Sequence, residues 1–269
     1  MKTVTRYLAV LSLTLLAGQT PNPKSQPNQF ALALIPAPAV HHRHQAAPHI
    51  RNANGTSQNW CGYAVESDLN APLRGAVSDV KGTWTVPAVS SSGSPHTYSS
   101  VWVGIDGYSD NTVEQTGTEQ DWTSNGPVYY AWFEMYPKFA YRILNFPVRP
   151  GDTISAEVKY IGNSRFTLTI ANLSRNVTFS STQRIKGQRS SAEWIVEAPH
   201  SGGILPLADF GTVSLAGCSA TLSGHVGSIA DRAWQNDAIT MADPDGTIKA
   251  QPSSLSSGGA GFSVTWQSE

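Results

Sequence analysis

The stretch Ala192-Glu193-Trp194-Ile195-Val196-Glu197 alternates its side chains in the way that a β-strand packed on one face requires. Successive side chains of a strand point to opposite faces, so Trp194 and Val196 share one face while Glu193 and Glu197 share the other. If the tryptophan and the valine enter a hydrophobic core, the two glutamates line the opposite surface. The stretch therefore predicts a β-sheet with carboxylates on one face.

A second polar stretch, Val113-Glu114-Gln115-Thr116-Gly117, has the same strand-like character. Gln115 shares its face of the strand with Gly117, whose small size leaves room for a ligand to approach. A glutamine amide and a glutamate carboxylate on one sheet face can together hold and activate a water molecule without histidine, cysteine or a metal ion. The working hypothesis is therefore a hydrolase adapted to acid.

Short runs of β-branched and aromatic residues recur between about residues 53 and 269, separated by Gly, Pro, Asn and Asp. This rhythm is typical of one all-β domain, an antiparallel sandwich or barrel. The turn sequences at 149–152 and 243–246 agree, since each combines Pro and Gly where a tight reversal needs them. Only Ile229 to Asn236 has a mildly helical pattern. The predicted strands are Asn59 to Val65, Gly82 to Val86, Ser99 to Ile105, Val128 to Tyr136, Thr153 to Ile161, Arg165 to Ala171, Ala192 to Val196 and Phe262 to Trp266.

Residues 1–20 have the layout of a secretory signal peptide. Lys2 and Arg6 precede an apolar run from Tyr7 to Ala17, and small residues follow it. The run is too short to span a bilayer, and no later stretch reaches the required length. These features predict a secreted, extracellular protein without a membrane anchor.

Residues 21–52 are predicted to be a propeptide. They are rich in Pro, Gln, Asn and Ala, and they bury too little apolar surface to offset the entropy cost of ordering. The first 52 residues contain five basic residues and no acidic ones, whereas residues 53–269 carry a formal charge of −6. The asymmetry favours electrostatic docking of the propeptide onto the body, with a solvated linker as the alternative. The acidic body argues against a nucleic-acid partner.

Metal and thiol chemistry find little support in the sequence. Four histidines cluster at positions 41, 42, 44 and 49 of the propeptide, where nothing would orient metal ligands, and a pH response of the imidazoles is the simpler hypothesis. Cys61 and Cys218 are the only cysteines, and their spacing leaves both a disulfide and two free thiols open. Cys61 has no evident histidine partner for nucleophilic catalysis. We expect no metal and no cofactor.

Six motifs follow one another along the body. They are Asn59-Trp60-Cys61-Gly62-Tyr63, Trp84-Thr85-Val86-Pro87, Trp102-Val103-Gly104-Ile105-Asp106-Gly107, Gln115-Thr116-Gly117, Ala131-Trp132-Phe133-Glu134-Met135-Tyr136-Pro137 and Ala192-Glu193-Trp194-Ile195-Val196-Glu197. Together, and in this order, they resemble the glutamic peptidase family, the eqolisins, over most of residues 53–269. Cys61 stands where this family more often has Gly, Ala or Ser, which affects the expected disulfide pattern and stability but not the chemistry.

The resemblance implies a sandwich of two large antiparallel sheets, of the concanavalin-like or jelly-roll type, and an acid endopeptidase that cleaves polypeptide substrates. It implies that Gln115 and Glu197 are the catalytic pair. A glutamate can act as general base in mild acid, where a histidine would already be protonated, and an uncharged amide can donate to the developing oxyanion. We also expect a monomer with its own propeptide as a partner. Motif positions near the cleft, expected to support the pair, are Trp60, Trp102, Asp106, Trp132, Glu134 and Tyr136.

Two other functions fit part of the sequence. A jelly-roll glycoside hydrolase would use two of Glu134, Glu193 and Glu197 but would leave Gln115 without a role. A non-catalytic carbohydrate-binding sandwich is also compatible with the predicted fold. Individual residues have ordinary alternatives as well, because Glu134 and Glu193 would commonly be solvated carboxylates and tryptophans would commonly belong to the core.

Overall fold

The computed structural model describes residues 30–35 and 55–269, and every regular element within them is a β-strand. The predicted signal peptide and the four clustered histidines lie outside the described residues. No helix able to cross a membrane occurs in the described ranges. The strands are β1 (Leu32–Leu34), β2 (Thr56–Ser57), β3 (Trp60–Glu66), β4 (Val77–Thr85), β5 (Thr97–Ile105), β6 (Val113–Thr123), β7 (Gly126–Tyr136), β8 (Tyr141–Ile143), β9 (Thr153–Tyr160), β10 (Arg165–Asn172), β11 (Val177–Arg184), β12 (Ser191–Glu197), β13 (Thr212–Leu222), β14 (His225–Ser228), β15 (Gln235–Ala242), β16 (Ile248–Pro252) and β17 (Phe262–Trp266).

The strands form two layers, which we call the front sheet and the back sheet. The front sheet has the order β1-β8-β7-β6-β5-β12-β3-β15. The back sheet has the order β11-β10-β9-β4-β13-β17-β16-β15-β2, with β14 also paired to β13. Strand β15 belongs to both, and every pairing is antiparallel except β2 with β15. The predicted antiparallel sandwich is confirmed, and all eight predicted runs overlap strands.

The main hydrophobic core lies between the two sheets. Trp194 and Val196 enter it from β12, as the alternation predicted, and meet residues such as Val158 and Leu168 from the back sheet. The indole Nε1 of Trp194 donates to the carbonyl oxygen of Lys81 on β4 at 2.6 Å. This hydrogen bond satisfies the one polar atom of a buried indole, so the ring can fill the core without an unpaired donor.

The opposite face of the front sheet is buried as well. A second apolar cluster covers it, and its members include Trp60, Trp102, Trp132 and Ile195. Ile35, which directly follows β1, is fully buried in the same cluster. The front sheet therefore has apolar packing on both faces, and polar side chains on the cluster face are shielded from water.

The mild helical pattern at 229–236 was misleading. This segment forms turns and then enters β15 at Gln235. The Asp231 carboxylate accepts a hydrogen bond from the backbone N–H of Ala233 at 2.8 Å and contacts the ring of His225 at 3.0 Å. An aspartate that bonds to the backbone two residues later stabilises a turn in place of a helix.

Both cysteines are buried free thiols, so the disulfide alternative is wrong. Burial raises the pKa of Cys218 to about 12 and that of Cys61 still further. A thiol with so high a pKa is not a nucleophile in acid or at neutral pH. This agrees with the expectation that Cys61 takes no part in catalysis.

Candidate active site

The register of the front sheet determines how the two predicted catalytic residues are placed. Gln115 on β6 lies beside Gly104 on β5, and Gly104 lies beside Glu193 on β12. Glu197 is four residues further along β12, so two strand spacings and four residues separate it from Gln115. Ideal strand dimensions give roughly 17 Å between their Cα atoms. The two side chains therefore lie on opposite sides of a gap on one sheet face.

Trp102 fills that gap. Its indole Nε1 donates to Glu197 Oε2 at 2.7 Å, and the far edge of its ring lies over Gly104, where an added Cβ would approach the ring to 2.8 Å. An added Cβ at Gly117 would come within 2.6 Å of the Trp102 Cβ. The two glycines thus make room for the indole on the sheet. The indole extends from the carboxylate of Glu197 towards the side of Gln115.

Glu197 is fully buried and is held by several N–H donors. Besides Trp102, the amide of Asn59 donates to Glu197 Oε1 at 3.2 Å, and the Trp60 indole also contributes. Burial raises the pKa of Glu197 to about 8, whereas the hydrogen bonds from Trp102, Trp60 and Asn59 act in the opposite direction. The pKa of Glu197 therefore depends on how much water reaches it. Hydration of the cleft would reduce the effect of burial, which raises the pKa, and would leave in place the hydrogen bonds that lower it.

Gln115 is oriented by Glu134, its direct neighbour on β7. The Gln115 Nε2 donates to Glu134 Oε2 at 2.7 Å. An amide nitrogen carries two N–H groups, and the hydrogen bond to Glu134 engages one of them. Burial raises the pKa of Glu134 well above its usual value, and the nearby Glu197 raises it further. Glu134 is therefore neutral in acid and acts there as a hydrogen-bond acceptor without charge.

The structure places the other predicted residues as follows. Trp60 packs edge-on against Trp102 at 5.0 Å between ring centroids, and Trp132 belongs to the same cluster. Tyr136 is half-buried at the edge of that cluster. Asp106 points elsewhere, because its carboxylate accepts hydrogen bonds from the backbone N–H groups that immediately precede β12, those of Arg189 at 2.6 Å and Ser190 at 2.7 Å.

Sequence reasoning missed two polar residues of the site. Asn59 opens the first motif and donates to Glu197, but an asparagine beside a conspicuous tryptophan carried no signal of that contact. Glu119 lies on the same face of β6 as Gln115, and Ser100 separates it from Glu197 in the register. Strand alternation carried forward from Gln115 would have found Glu119, since it is four residues further along.

The alternative of solvated carboxylates is wrong for both Glu134 and Glu193, which are fully buried. Two further glutamates, Glu66 and Glu114, are equally shielded. Burial raises the pKa of all four, to about 8 for Glu66. The reason is that a carboxylate loses its hydration in an apolar environment, so the neutral acid is favoured. The fold therefore holds several protons that the unfolded chain releases near its ordinary pKa of about 4.5.

We expect the protein shortened to residues 53–269 to lose stability as the pH rises from about 4.5 towards 8. The unfolded state binds fewer protons in that interval, so the free energy of unfolding falls with pH. Each unit of pKa difference is worth about 1.4 kcal/mol, and a domain of this size shifts by roughly 2–4 °C per kcal/mol. The melting temperature should drop by at least about 10 °C between pH 4 and pH 7.

Glu193→Gln should reduce the fall of the melting temperature with pH, because it removes one of the buried carboxyls. Glu157→Gln, on the half-buried surface of β9, should leave that fall unchanged. A wild-type melting temperature that does not change between pH 4 and pH 7 would contradict the expectation.

Comparison with known sequences agrees with the six motifs. The sequence model of the Peptidase A4 family matches residues 58–265. Aspergillopepsin-2 from Aspergillus niger is 31% identical over an alignment of 273 residues, which covers 83% of this chain and 92% of that protein. Scytalidopepsin B from Scytalidium lignicola is 32% identical over 187 residues, covering 64% of this chain and 67% of that protein.

Solved structures show the same architecture. A scytalido-glutamic peptidase in complex with a peptide-based transition state analog superimposes with a TM-score of 0.63 at 25% identity, covering 78% of this chain and 98% of that one. The aspergilloglutamic peptidase from Aspergillus niger superimposes with a TM-score of 0.57 at 29% identity, covering 64% of this chain and 99% of that one. The two-layered arrangement described above is thus the arrangement of these peptidases.

Proposed function

Since the chain belongs to the Peptidase A4 family and is an acid endopeptidase, we propose that Glu197 and Gln115 carry out its peptide hydrolysis. The observation that supports this most is the position of the Trp102 indole, with the carboxylate of Glu197 bonded at one end and Gln115 beside the other. A peptide group and a water molecule seated over the indole would lie between a base and a hydrogen-bond donor. The alternative glycosidase would leave Gln115 unused and is not favoured.

In the proposed reaction, the water oxygen attacks the peptide carbonyl carbon while the Glu197 carboxylate takes a proton from that water. The carbonyl oxygen becomes an oxyanion, and an N–H of Gln115 Nε2 donates to it. Glu197 then returns the proton to the amide nitrogen as the C–N bond breaks, which releases an amine and a carboxylic acid. Because Glu134 is neutral in acid, it orients Gln115 without placing a negative charge beside the oxyanion.

The test is the hydrolysis of casein in acid by the wild type, Gln115→Ala and Glu197→Gln, each with and without a chelator and a thiol reagent. We expect the wild type to be active in acid and insensitive to both reagents, because the pair uses neither metal nor thiolate. A glucan should remain intact. Inactivation by the chelator, together with a fully active Glu197→Gln variant, would exclude the proposal.

We further propose that the protein is secreted as a monomeric zymogen, with residues 1–20 as signal peptide and 21–52 as propeptide. The described piece of that propeptide, 30–35, supports this. Strand β1 pairs with β8 at the edge of the front sheet, where Leu144 N–H donates to Ala31 O at 2.8 Å. Ile35 is buried among the tryptophans of the active-site face, and Phe30 packs on Phe179 at 5.8 Å between ring centroids.

The contacts of residues 30–35 are apolar and main-chain contacts, and this segment carries no charge. Electrostatic docking, which the charge asymmetry predicts, would involve Lys24, Arg43 and Arg51, which lie outside the described residues. Ile35 belongs to the apolar cluster that also contains Trp60 and Trp102, the two indoles that contact Glu197, and burial raises the pKa of Glu197 to about 8. A neutral Glu197 is not a base, so the seated segment would keep the site chemically inactive in acid until it leaves.

We expect a synthetic peptide of residues 21–52 to inhibit the activated enzyme, and Ile35→Asp to weaken that inhibition by about 30-fold or more. Burying an isoleucine is worth roughly 2–3 kcal/mol, and a buried aspartate would add a desolvation cost. Leu34→Asp is the matched control, because Leu34 is the exposed neighbour on β1. Salt should weaken the inhibition only if the basic residues contribute. Equal inhibition by the wild-type and Ile35→Asp peptides would show that β1 does not bind in this way.

A further inference from the structure

Asn59 contacts the proposed base without being required by the reaction scheme. It is buried, and its Nδ2 donates to Glu197 Oε1 at 3.2 Å while Trp102 takes the other carboxylate oxygen. Its backbone carbonyl accepts the N–H of Ala198 at 2.8 Å, directly after β12. Asn59 is thus connected to the end of the catalytic strand through both its side chain and its main chain.

Ser57 determines which way the Asn59 amide faces. The Ser57 hydroxyl donates to Asn59 Oδ1 at 3.2 Å, and it accepts the backbone N–H groups of Asn59 at 3.3 Å and of Trp60 at 3.1 Å. A serine hydroxyl has one proton and two acceptor sites, so these three contacts use all of them. With the amide oxygen bound to Ser57, the amide NH₂ must face Glu197.

We propose that Asn59, oriented by Ser57, is a positioning residue that favours the ionised form of Glu197 and fixes the direction of its carboxylate. This inference rests on the proposed role of Glu197 as base. A hydrogen bond to a carboxylate favours the charged form, whereas burial opposes it. Asn59 donates to one carboxylate oxygen and Trp102 to the other, so the two donors together fix the plane of the carboxylate. A pre-oriented donor supplies this stabilisation without moving during the reaction.

Other titratable groups near Glu197 come from strands of the front sheet that lie beyond β5. Glu119 on β6 and Glu134 on β7 both interact with it electrostatically, and burial raises the pKa of each well above its usual value. Hydrogen bonds from three side chains oppose the effect of burial on the pKa of Glu197, whereas only Gln115 does so at Glu134 and no donor does so at Glu119, so these two carboxyls keep their protons more strongly than Glu197. The acid limb of the pH dependence of kcat/KM should therefore report the ionisation of Glu197.

The experiment is to measure kcat/KM against pH for the full-length chain after acid activation, in the wild type and three variants. Asn59→Ala removes a donor to a charged group, so its acid limb should move upward by about one pH unit. Asn59→Asp has the same shape but places a carboxyl beside Glu197, and its shift should be larger. Ser57→Ala releases the amide and should shift the limb in the same direction by a smaller amount. Ser99→Ala is the control, since this buried hydroxyl donates to the Gln120 carbonyl oxygen at 2.9 Å, away from Glu197.

The outcomes separate this inference from the proposed function. An upward shift in both Asn59 variants, with an unshifted Ser99→Ala, supports the positioning role. An acid limb that stays in place in a folded Asn59→Asp variant overturns it, and the isosteric change keeps that test available if Asn59→Ala does not fold. Glu197→Gln is measured in parallel. If it is inactive while the Asn59 variants keep the wild-type limb, only the positioning role fails; if it is fully active, the proposed function fails.

Discussion

Glu197→Gln is expected to lower kcat by roughly 10³–10⁴-fold while the fold is retained. A general base contributes up to about 10⁴ in rate, and glutamine has the size of glutamate but cannot accept a proton from water in this role. The substitution also removes one hydrogen-bond partner, because only one end of the new amide can accept while Asn59 and Trp102 both donate. The measurement is single-turnover hydrolysis of a chromogenic peptide across pH 2–6.

The matched control for that variant is Glu193→Gln. Glu193 lies on the same strand, shares the face of Glu197 and is equally buried. If the loss of activity came from removing a buried carboxyl in general, both variants would be impaired to the same extent. We expect Glu193→Gln to keep activity within about tenfold of wild type, since the substitution leaves both Glu197 and Gln115 in place. Equal loss in both variants would argue that burial and not base catalysis explains the result.

Gln115→Glu is expected to be the second most damaging change, with a loss of at least the 10²–10³-fold that follows removal of one oxyanion donor. An ionised carboxylate at this position has no N–H to offer and would face Glu134 directly across the strands. Two adjacent carboxyls share a proton, so the pair would carry negative charge where negative charge develops in the reaction. Gln115→Ala should lose the donor alone and be less impaired.

The readout for Gln115 is kcat separated from KM across the acid range. We expect kcat to fall with little change in KM, because the oxyanion exists only in the transition state. Gln183→Glu on β11 of the back sheet is the surface control and should behave as wild type. If Gln115→Glu turned over substrate normally throughout the acid range, the amide would have no role in stabilising the oxyanion.

The sequence alone predicted the two faces of β12 well. Period-two alternation assigned Trp194 to the core and Glu197 to the opposite face, and both assignments are confirmed. It did not predict the burial of Glu193 or Glu134, because alternation indicates which face a residue occupies and not whether a second apolar cluster covers that face. Ile35, from outside the predicted domain, is part of that cluster.

Contacts between residues far apart in the sequence could not be predicted, for a related reason. The contact between Asn59 and Glu197 joins residues 138 positions apart and depends on the register of β3 with β12. A shift of one residue in that register would turn Trp60 to the other face. Likewise, the eight residues of β15 do not reveal that this strand belongs to both sheets. The segment 229–236, which leads into β15, has a helical pattern but forms turns.

The pairing of β1 with β8 has a consequence for solubility. If residues 21–52 are removed as proposed, β8 would become the outermost strand of the front sheet and would expose unpaired backbone groups next to Phe139 and Tyr141, which are already exposed. Open strand edges are where protein chains aggregate through edge-to-edge pairing. The new edge is only three residues long and carries Arg142, and short length and charge both discourage such pairing. The proposed propeptide would thus protect this edge during folding. After its removal, the short length and the charge of β8 would keep the enzyme from aggregating.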